Sequence, residues 1–246
     1  MSKISESQKQ FLDSVAIWLK TQLEKNDNPK QSEIELRFGH CQSFDNSEKP
    51  VNFVNGIGVA EWHRIREALA CTETEAQSKP PQTVLEIIKI YENSSKTQTL
   101  RSIEHADGTK TNQCKINVAQ RNFQFNDATC GTQVAGRLSH SVELPHDIDI
   151  VTTTPILIRA RARTTFWHRM WRIDLSQVQQ GADEDAVEMA PALFEVEIEL
   201  LQDRIDWSKH DYHYIALALL VKVGEILNFM KEKPKDTVEL PKVCPL

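Results

Sequence analysis

The segment Phe194-Glu195-Val196-Glu197-Ile198-Glu199-Leu200 places a carboxylate at every second position with a large apolar residue between each pair. Strand side chains alternate between faces, so an extended chain aligns Glu195, Glu197 and Glu199 on one side. A shorter copy of the pattern occurs at Glu33-Ile34-Glu35-Leu36. Like charges that close together repel, and strands avoid stacking them unless something offsets the repulsion. A divalent cation does so, because hard cations take carboxylate oxygens. A single Glu-x-Glu reads more simply as a half-exposed strand with solvated glutamates. Two such strands, one of them tripled, point to a metal site.

Basic strands lie between the acidic ones. Arg159-Ala160-Arg161-Ala162-Arg163 aligns guanidinium groups on one face, and Arg172-Ile173-Asp174-Leu175-Ser176 aligns an arginine, a carboxylate and a hydroxyl. Arg137 through Glu143 repeats that arrangement, and Arg101 and Lys115 add cations. Arginine forks suit phosphate oxygens. Carboxylates for a metal and guanidinium groups for phosphate together fit a metal-bound polyphosphate.

Apolar spacing predicts a first helix over residues 7–24, a second over 58–70 and a last over about 211–233, closed by Pro234 before a loose tail. Strand patterning runs from about residue 32 to 201, with Asp107-Gly108 as turn chemistry. The count of about eight strands is enough to close a barrel. Residues 71–81 and the acidic stretch 179–185 read as loops, the latter with solvated carboxylates. The charged faces carry too many charges of both signs for ordinary surface. We therefore expect an α+β, mainly β chain forming a single domain over 1–246. It is an eight-stranded antiparallel β-barrel tunnel with a polar lumen, covered outside by helices. Phe38, opposite in parity to Glu35, belongs to the outer layer.

A net charge of −6 argues against broad nucleic-acid binding, which needs a basic footprint, so any RNA contact should be local. Five scattered cysteines without ligand spacing read as reduced thiols. The polar N-terminus carries no signal-peptide pattern, and the apolar run 215–223, interrupted by Lys222, is short of a membrane span, so no membrane partner is expected. Other phosphate chemistries lack their motifs. His40-Cys41 is not followed by a cysteine-phosphatase loop, no P-loop occurs, and His105-Ala106-Asp107-Gly108 has no nucleophilic lysine.

From Glu33 to Leu200 these motifs, in this order, resemble the metal-dependent RNA 5′-triphosphatases of fungi, protozoa and some viruses, a branch of the triphosphate tunnel metalloenzymes. The short length is most similar to the trypanosomatid members. Arg161 stands where the family usually has lysine, and Ser176 where it has threonine. The resemblance implies a polynucleotide 5′-phosphatase that takes the γ-phosphate from triphosphate-ended pre-mRNA, leaving a diphosphate end, as the first step of capping. It also implies metal-dependent hydrolysis of nucleoside triphosphates. By that match Glu33, Glu35 and Glu199 ligate Mg²⁺ or Mn²⁺, with Glu195 and Glu197 in support. Arg101, Arg161 and Arg163 grip the γ-phosphate, Lys115, Arg159 and Arg172 contact the phosphate chain, Glu143 positions the attacking water, and Asp174 joins the catalytic set. A nuclear location, a separate guanylyltransferase and a possible homo-oligomer follow from the same resemblance. The alternatives are a tunnel triphosphatase for inorganic tripolyphosphate or nucleotides, a non-catalytic polyphosphate-binding module, and a barrel whose charges form ion-pair ladders alone.

Overall fold

A computed structural model describes residues 4–24, 31–42, 52–71, 79–93, 95–126, 134–146, 154–232 and 241–245. The first helix, α1 (Glu6–Glu24), starts at a reciprocal cap. Ser5 N–H donates to Gln8 Oε1 at 2.8 Å, and Gln8 N–H donates to Ser5 Oγ at 3.3 Å. The strands follow as β1 (Ser32–Gln42), β2 (Asn52–Asn55), β3 (Gln82–Tyr91), β4 (Gln98–His105), β5 (Lys110–Asn126), β6 (Val134–Pro145), β7 (Pro155–His168), β8 (Trp171–Gly181), β9 (Leu193–Leu200) and β10 (Lys242–Pro245). Helices α2 (Val59–Cys71), α3 (Glu184–Met189) and α4 (Tyr212–Phe229) complete the set.

Eight strands close on themselves in the order β5-β4-β3-β7-β8-β9-β1-β6, each pairing antiparallel, and β6 returns to β5. The expected closed barrel is therefore present, with β2 added beside β1 and β10 beside β5. Closure leaves these eight strands without an unpaired edge. The Asp107-Gly108 turn joins β4 to β5, with Gly108 at φ +81°.

The apolar faces point outward. Ile34, Leu36, Phe38, Leu138, Ile173, Leu175, Val196 and Ile198 are buried with α1, α2 and α4 in one core. Phe38 is fully enclosed, against Phe125. α4 begins at Asp211, whose side chain accepts the Tyr214 N–H, and is long and apolar enough to pass a membrane-span test by composition. Over half of it is buried within the protein, as expected of a core helix.

The described helices cover one side of the barrel, leaving Leu85, Ile87 and Ile156 exposed on the outer face of β3 and β7. Within the polar lumen, Ile88 and Ile103 are directly paired on the inner face and buried. Two expectations need correction. The acidic stretch 179–185 is the end of β8 followed by α3, with Asp183 accepting the Ala186 N–H as N-cap. The tail is not loose throughout, because Lys242–Pro245 pairs with β5. The expected stop at Pro234 and most of the loop 71–81 lie outside the described residues.

Candidate active site

The inward faces of the strands bring the charges of the sequence motifs into one tunnel. On β1, Glu35 lies directly opposite Glu199 of β9, and Arg37 opposite Glu197. Arg172 of β8 is in turn opposite Glu199, Asp174 opposite Glu197, and Ser176 opposite Glu195. Arg163 of β7 pairs with Ser176, and Glu86 of β3 pairs with Arg161. Across the tunnel Lys115 of β5 is opposite Glu143 of β6.

Glu33, Glu143, Arg172 and Glu199 line a cavity of about 560 Å³ at one mouth, together with Gln113. Lys115 organises this end. Its Nζ contacts Glu33 and lies 3.5 Å from Glu35 and 3.4 Å from Glu143. Arg101 pairs with Glu143, and Ser141 Oγ donates to Glu33 at 3.2 Å. Arg37 bridges Glu35 and Glu197, each at 2.8 Å. Arg172 holds Asp174 at 3.0 Å and contacts Glu199. Thr165 Oγ1 donates to Asp174 at 2.7 Å.

The basic strand makes its own set deeper in. Arg161 and Arg163 converge on the Glu86 carboxylate at 2.7 and 3.1 Å, and Arg163 reaches Asp174 at 3.6 Å. Arg159 pairs with Glu195 at 2.7 Å, and Asn55 Nδ2 donates to the same Glu195 oxygen at 2.8 Å. Three buried polar atoms on this wall, Arg159 Nε, Arg163 Nε and Ser176 Oγ, have no hydrogen-bond partner among the described residues. Buried polar groups left unpaired are costly, so unspent donors of this kind suit an anion between β7 and β8.

Burial and repulsion set the protonation of the acids. Burial pushes the Glu199 carboxyl well above its ordinary value, reinforced by Glu33, Asp174 and Glu35 and resisted by Arg172. Glu35 is also raised, by burial and by Glu33 and Glu197, against Arg37 and Lys115. Glu33 behaves oppositely. Burial works against its charge, but Lys115, with Arg37 and Arg101, holds it below the usual carboxylate range. Burial also opposes the charges of Lys115, Arg37 and Arg172, and the surrounding carboxylates outweigh it and raise all three.

Every residue singled out from the motifs thus faces the tunnel, but several are engaged otherwise than their expected roles require. Glu33, Glu35 and Glu199 are each turned toward a cation. Among the described residues no group of three or more His, Cys, Asp or Glu side chains stands together as a metal nest. The physical reason is charge pairing, since carboxylates facing Lys115, Arg37 and Arg172 gain more by meeting them than by meeting one another. The donor chemistry still fits a hard cation. Glu35 and Glu199 oppose each other, and each raises the other's affinity for a positive charge. Sequence reasoning missed Glu86, a buried acid on an otherwise apolar-looking strand, and Arg37, which sits inside the first acidic motif. Alternation was the available signal for both: Glu86 shares the parity of Ile88, and Arg37 that of Glu33 and Glu35.

The closed antiparallel barrel, with acid-lined and arginine-lined inner walls, defines the chain as a tunnel-fold protein. Its likeness to solved structures is at the level of the fold. The S. pombe Pct1 RNA triphosphatase aligns with TM-score 0.68 and 16% identity over 92% of this chain and 94% of that one. Pct1 in complex with the Spt5 CTD aligns with TM-score 0.67 and 17% identity, covering 94% and 97%. The Mimivirus capping enzyme triphosphatase aligns with TM-score 0.56 and 12% identity, covering 93% and 100%. No protein-family profile and no curated protein sequence matches the chain.

Proposed function

We propose that the chain is a divalent-metal-dependent RNA 5′-triphosphatase, releasing the γ-phosphate of triphosphate-ended RNA and leaving a diphosphate end for capping. Free nucleoside triphosphates are side substrates of the same tunnel. The observation that carries the reading is the β7–β8 wall, where Arg159, Arg161 and Arg163 stand in one row beside unspent donors at Arg159 Nε, Arg163 Nε and Ser176 Oγ. The acids of β9 stand on the next strand, with those of β1 beyond them.

Charge balance supports the metal. Among the described residues, eight carboxylates (Glu33, Glu35, Glu86, Glu143, Asp174, Glu195, Glu197, Glu199) are ion-paired in the lumen with seven Lys or Arg cations (Arg37, Arg101, Lys115, Arg159, Arg161, Arg163, Arg172). The lumen is already near neutral, so a polyanion entering it needs additional positive charge. Glu33, Glu35 and Glu199 would hold a Mg²⁺ or Mn²⁺ ion, which supplies Lewis-acid polarisation of phosphoryl oxygens and offsets their charge.

The chain's own groups do the rest. Arg161 and Arg163 exchange Glu86 for the terminal phosphate, while Arg172 holds the chain behind it and Arg159 supports the row from its far end. Phosphoryl transfer passes through a loose transition state, so fixed guanidinium groups stabilise charge without covalent chemistry. Glu143, released by Arg101 when that arginine turns to phosphate, orients the attacking water. Asp174 keeps Arg172 and Arg163 aimed inward. The product would pass to a separate guanylyltransferase in the nucleus.

The test is release of labelled phosphate from γ-labelled triphosphate-ended RNA with and without Mn²⁺. Orthophosphate and diphosphate-ended RNA should appear only with metal. Equal release in its absence, or pyrophosphate as the early product, would overturn the proposal.

A further inference from the structure

The chain has five tryptophans, and four of them are accounted for by packing. Trp18, Trp62 and Trp171 belong to the core, and Trp207 lies on the surface against Tyr212, ring centroids 5.2 Å apart. Trp167 is different: half-buried, outside the core, and near the end of β7. The register pairs Thr165 with Asp174 and Trp167 with Arg172 without a bulge. Asp174 and Arg172 face the tunnel, so the indole shares their face. Arg172 also lines the mouth cavity with Glu33, Glu143 and Glu199, and Trp167, its direct partner in the register, stands at the same end of the barrel. Its ring contact is with a cation, Lys79 Nζ lying 5.5 Å from the ring centroid.

An indole has a large apolar surface, and burial in the core is its usual use. Here the ring instead stands among charges at the opening of the tunnel. Along β7 the inward positions run Arg161, Arg163, Thr165, Trp167, each about 7 Å beyond the last along the strand. The guanidinium groups therefore come first and the aromatic ring last, with Arg172 beside it. A triphosphate whose terminal phosphate lies at Arg161 and Arg163 has its inner phosphates toward Arg172 and its nucleoside at Trp167.

We infer that Trp167 is the platform on which the nucleobase of the 5′-terminal nucleotide stacks, with Lys79 on one face of the indole and the base on the other. The inference rests on the proposed placement of the triphosphate in the tunnel. It adds a subsite for the organic part of the substrate, which the phosphate-binding charges do not reach. Every base has a π-face, so stacking tolerates all four bases. The platform recognises a nucleoside triphosphate end as a class, not one sequence.

The experiment compares triphosphate-ended RNA, ATP and inorganic tripolyphosphate, the last having phosphates but no base, with Mn²⁺ present. Trp167→Ala should raise KM for the RNA and for ATP by about 5- to 100-fold, the span expected for losing one base–aromatic stack. KM for tripolyphosphate should stay within about twofold, because that substrate has no base to stack. Trp167→Phe should recover most of the loss. Trp167→Leu, which keeps an apolar side chain at the rim should the alanine variant fold poorly, should not. A parallel rise for tripolyphosphate would reduce Trp167 to a structural role and overturn the inference, as would an unchanged KM for ATP. If the wild type hydrolyses none of the three, the proposed activity fails. Calorimetric binding of ATP against tripolyphosphate in the same variants then decides the stacking by the same comparison.

Discussion

Glu86 gives the sharpest test of how the arginines of the tunnel wall are held. Its carboxylate is buried and accepts from Arg161 Nε at 2.8 Å and Arg163 Nη2 at 3.1 Å, with His105 Nδ1 3.6 Å away. Glu86→Gln keeps the shape and one acceptor but removes the charge that neutralises two guanidinium groups. Breaking a buried pair from one side costs about 3–5 kcal/mol, and the retained amide oxygen argues for the lower end. For a chain of this size about 3 kcal/mol corresponds to a fall in Tm of roughly 6–12 °C. The same change frees both arginines for an anion. Metal-free tripolyphosphate should therefore raise the Tm of Glu86→Gln more than that of the wild type, where binding must first displace Glu86. At about 100 times Kd a ligand contributes about 2.7 kcal/mol, enough to recover most of the loss. Differential scanning fluorimetry in EDTA across a tripolyphosphate titration reads both effects. An unchanged Tm, or an anion response no larger than that of the wild type, would refute the neutralising role.

Other outcomes follow from the same charges. Glu199 has a folded-state pKa above its unfolded one, so folding takes up a proton between the two values and stability falls as pH rises through that interval. Glu199→Gln should accordingly raise the metal-free Tm at pH 7. Glu33 is held below its unfolded value, so its contribution is present at neutral pH and lost as pH falls through the acid range. Glu33→Gln should lower Tm at pH 7, and thermal melts giving both variants the same sign would refute this division. Arg161→Ala should slow turnover by on the order of 10³-fold, and Arg161→Lys should retain much of it. Glu143→Gln should lose roughly 10²-fold while leaving Mn²⁺ affinity nearly intact; loss of metal binding in kinetic and calorimetric titrations would exclude the water-positioning role. Glu184→Ala should behave like the wild type in the same assay, because Glu184 is exposed and meets only Lys89, at 3.6 Å outside the tunnel.

The barrel was legible because period two survives in the charged strands. On β7, β8 and β9 one face is charged and the other apolar, and the inward side follows from the excess of charge alone. The pattern fails where the backbone departs from strict pleating. β5 spans Lys110–Asn126 with a bulge between Asn117 and Ala119. The extra residue exchanges the faces: Gln113 and Lys115 point inward before it, whereas Phe123 and Phe125 join the outer core after it. β2 and β10 are too short to show alternation, and pairing with β1 and β5 holds them in place. At the site the motifs identified the acids and bases but not who pairs with whom, because register is a tertiary property. A base platform was invisible for the same reason, since only pairing with Arg172 places Trp167 on the inner face.

The antiparallel seam between β1 and β9 joins Glu35 to Glu199 from nearly opposite ends of the barrel sequence. Contacts of such long separation form late, because the loop-closure cost is met before the contact returns anything. During synthesis β1 can find β2 and β6 but must wait for β9, and until then the part of its second edge that β2 does not reach stays open. The strand that closes the barrel is also the one that sets carboxylate against carboxylate. Assembly of the ring therefore ends at its most repulsive joint, and a counter-ion available at that moment would speed closure as well as settle the finished tunnel.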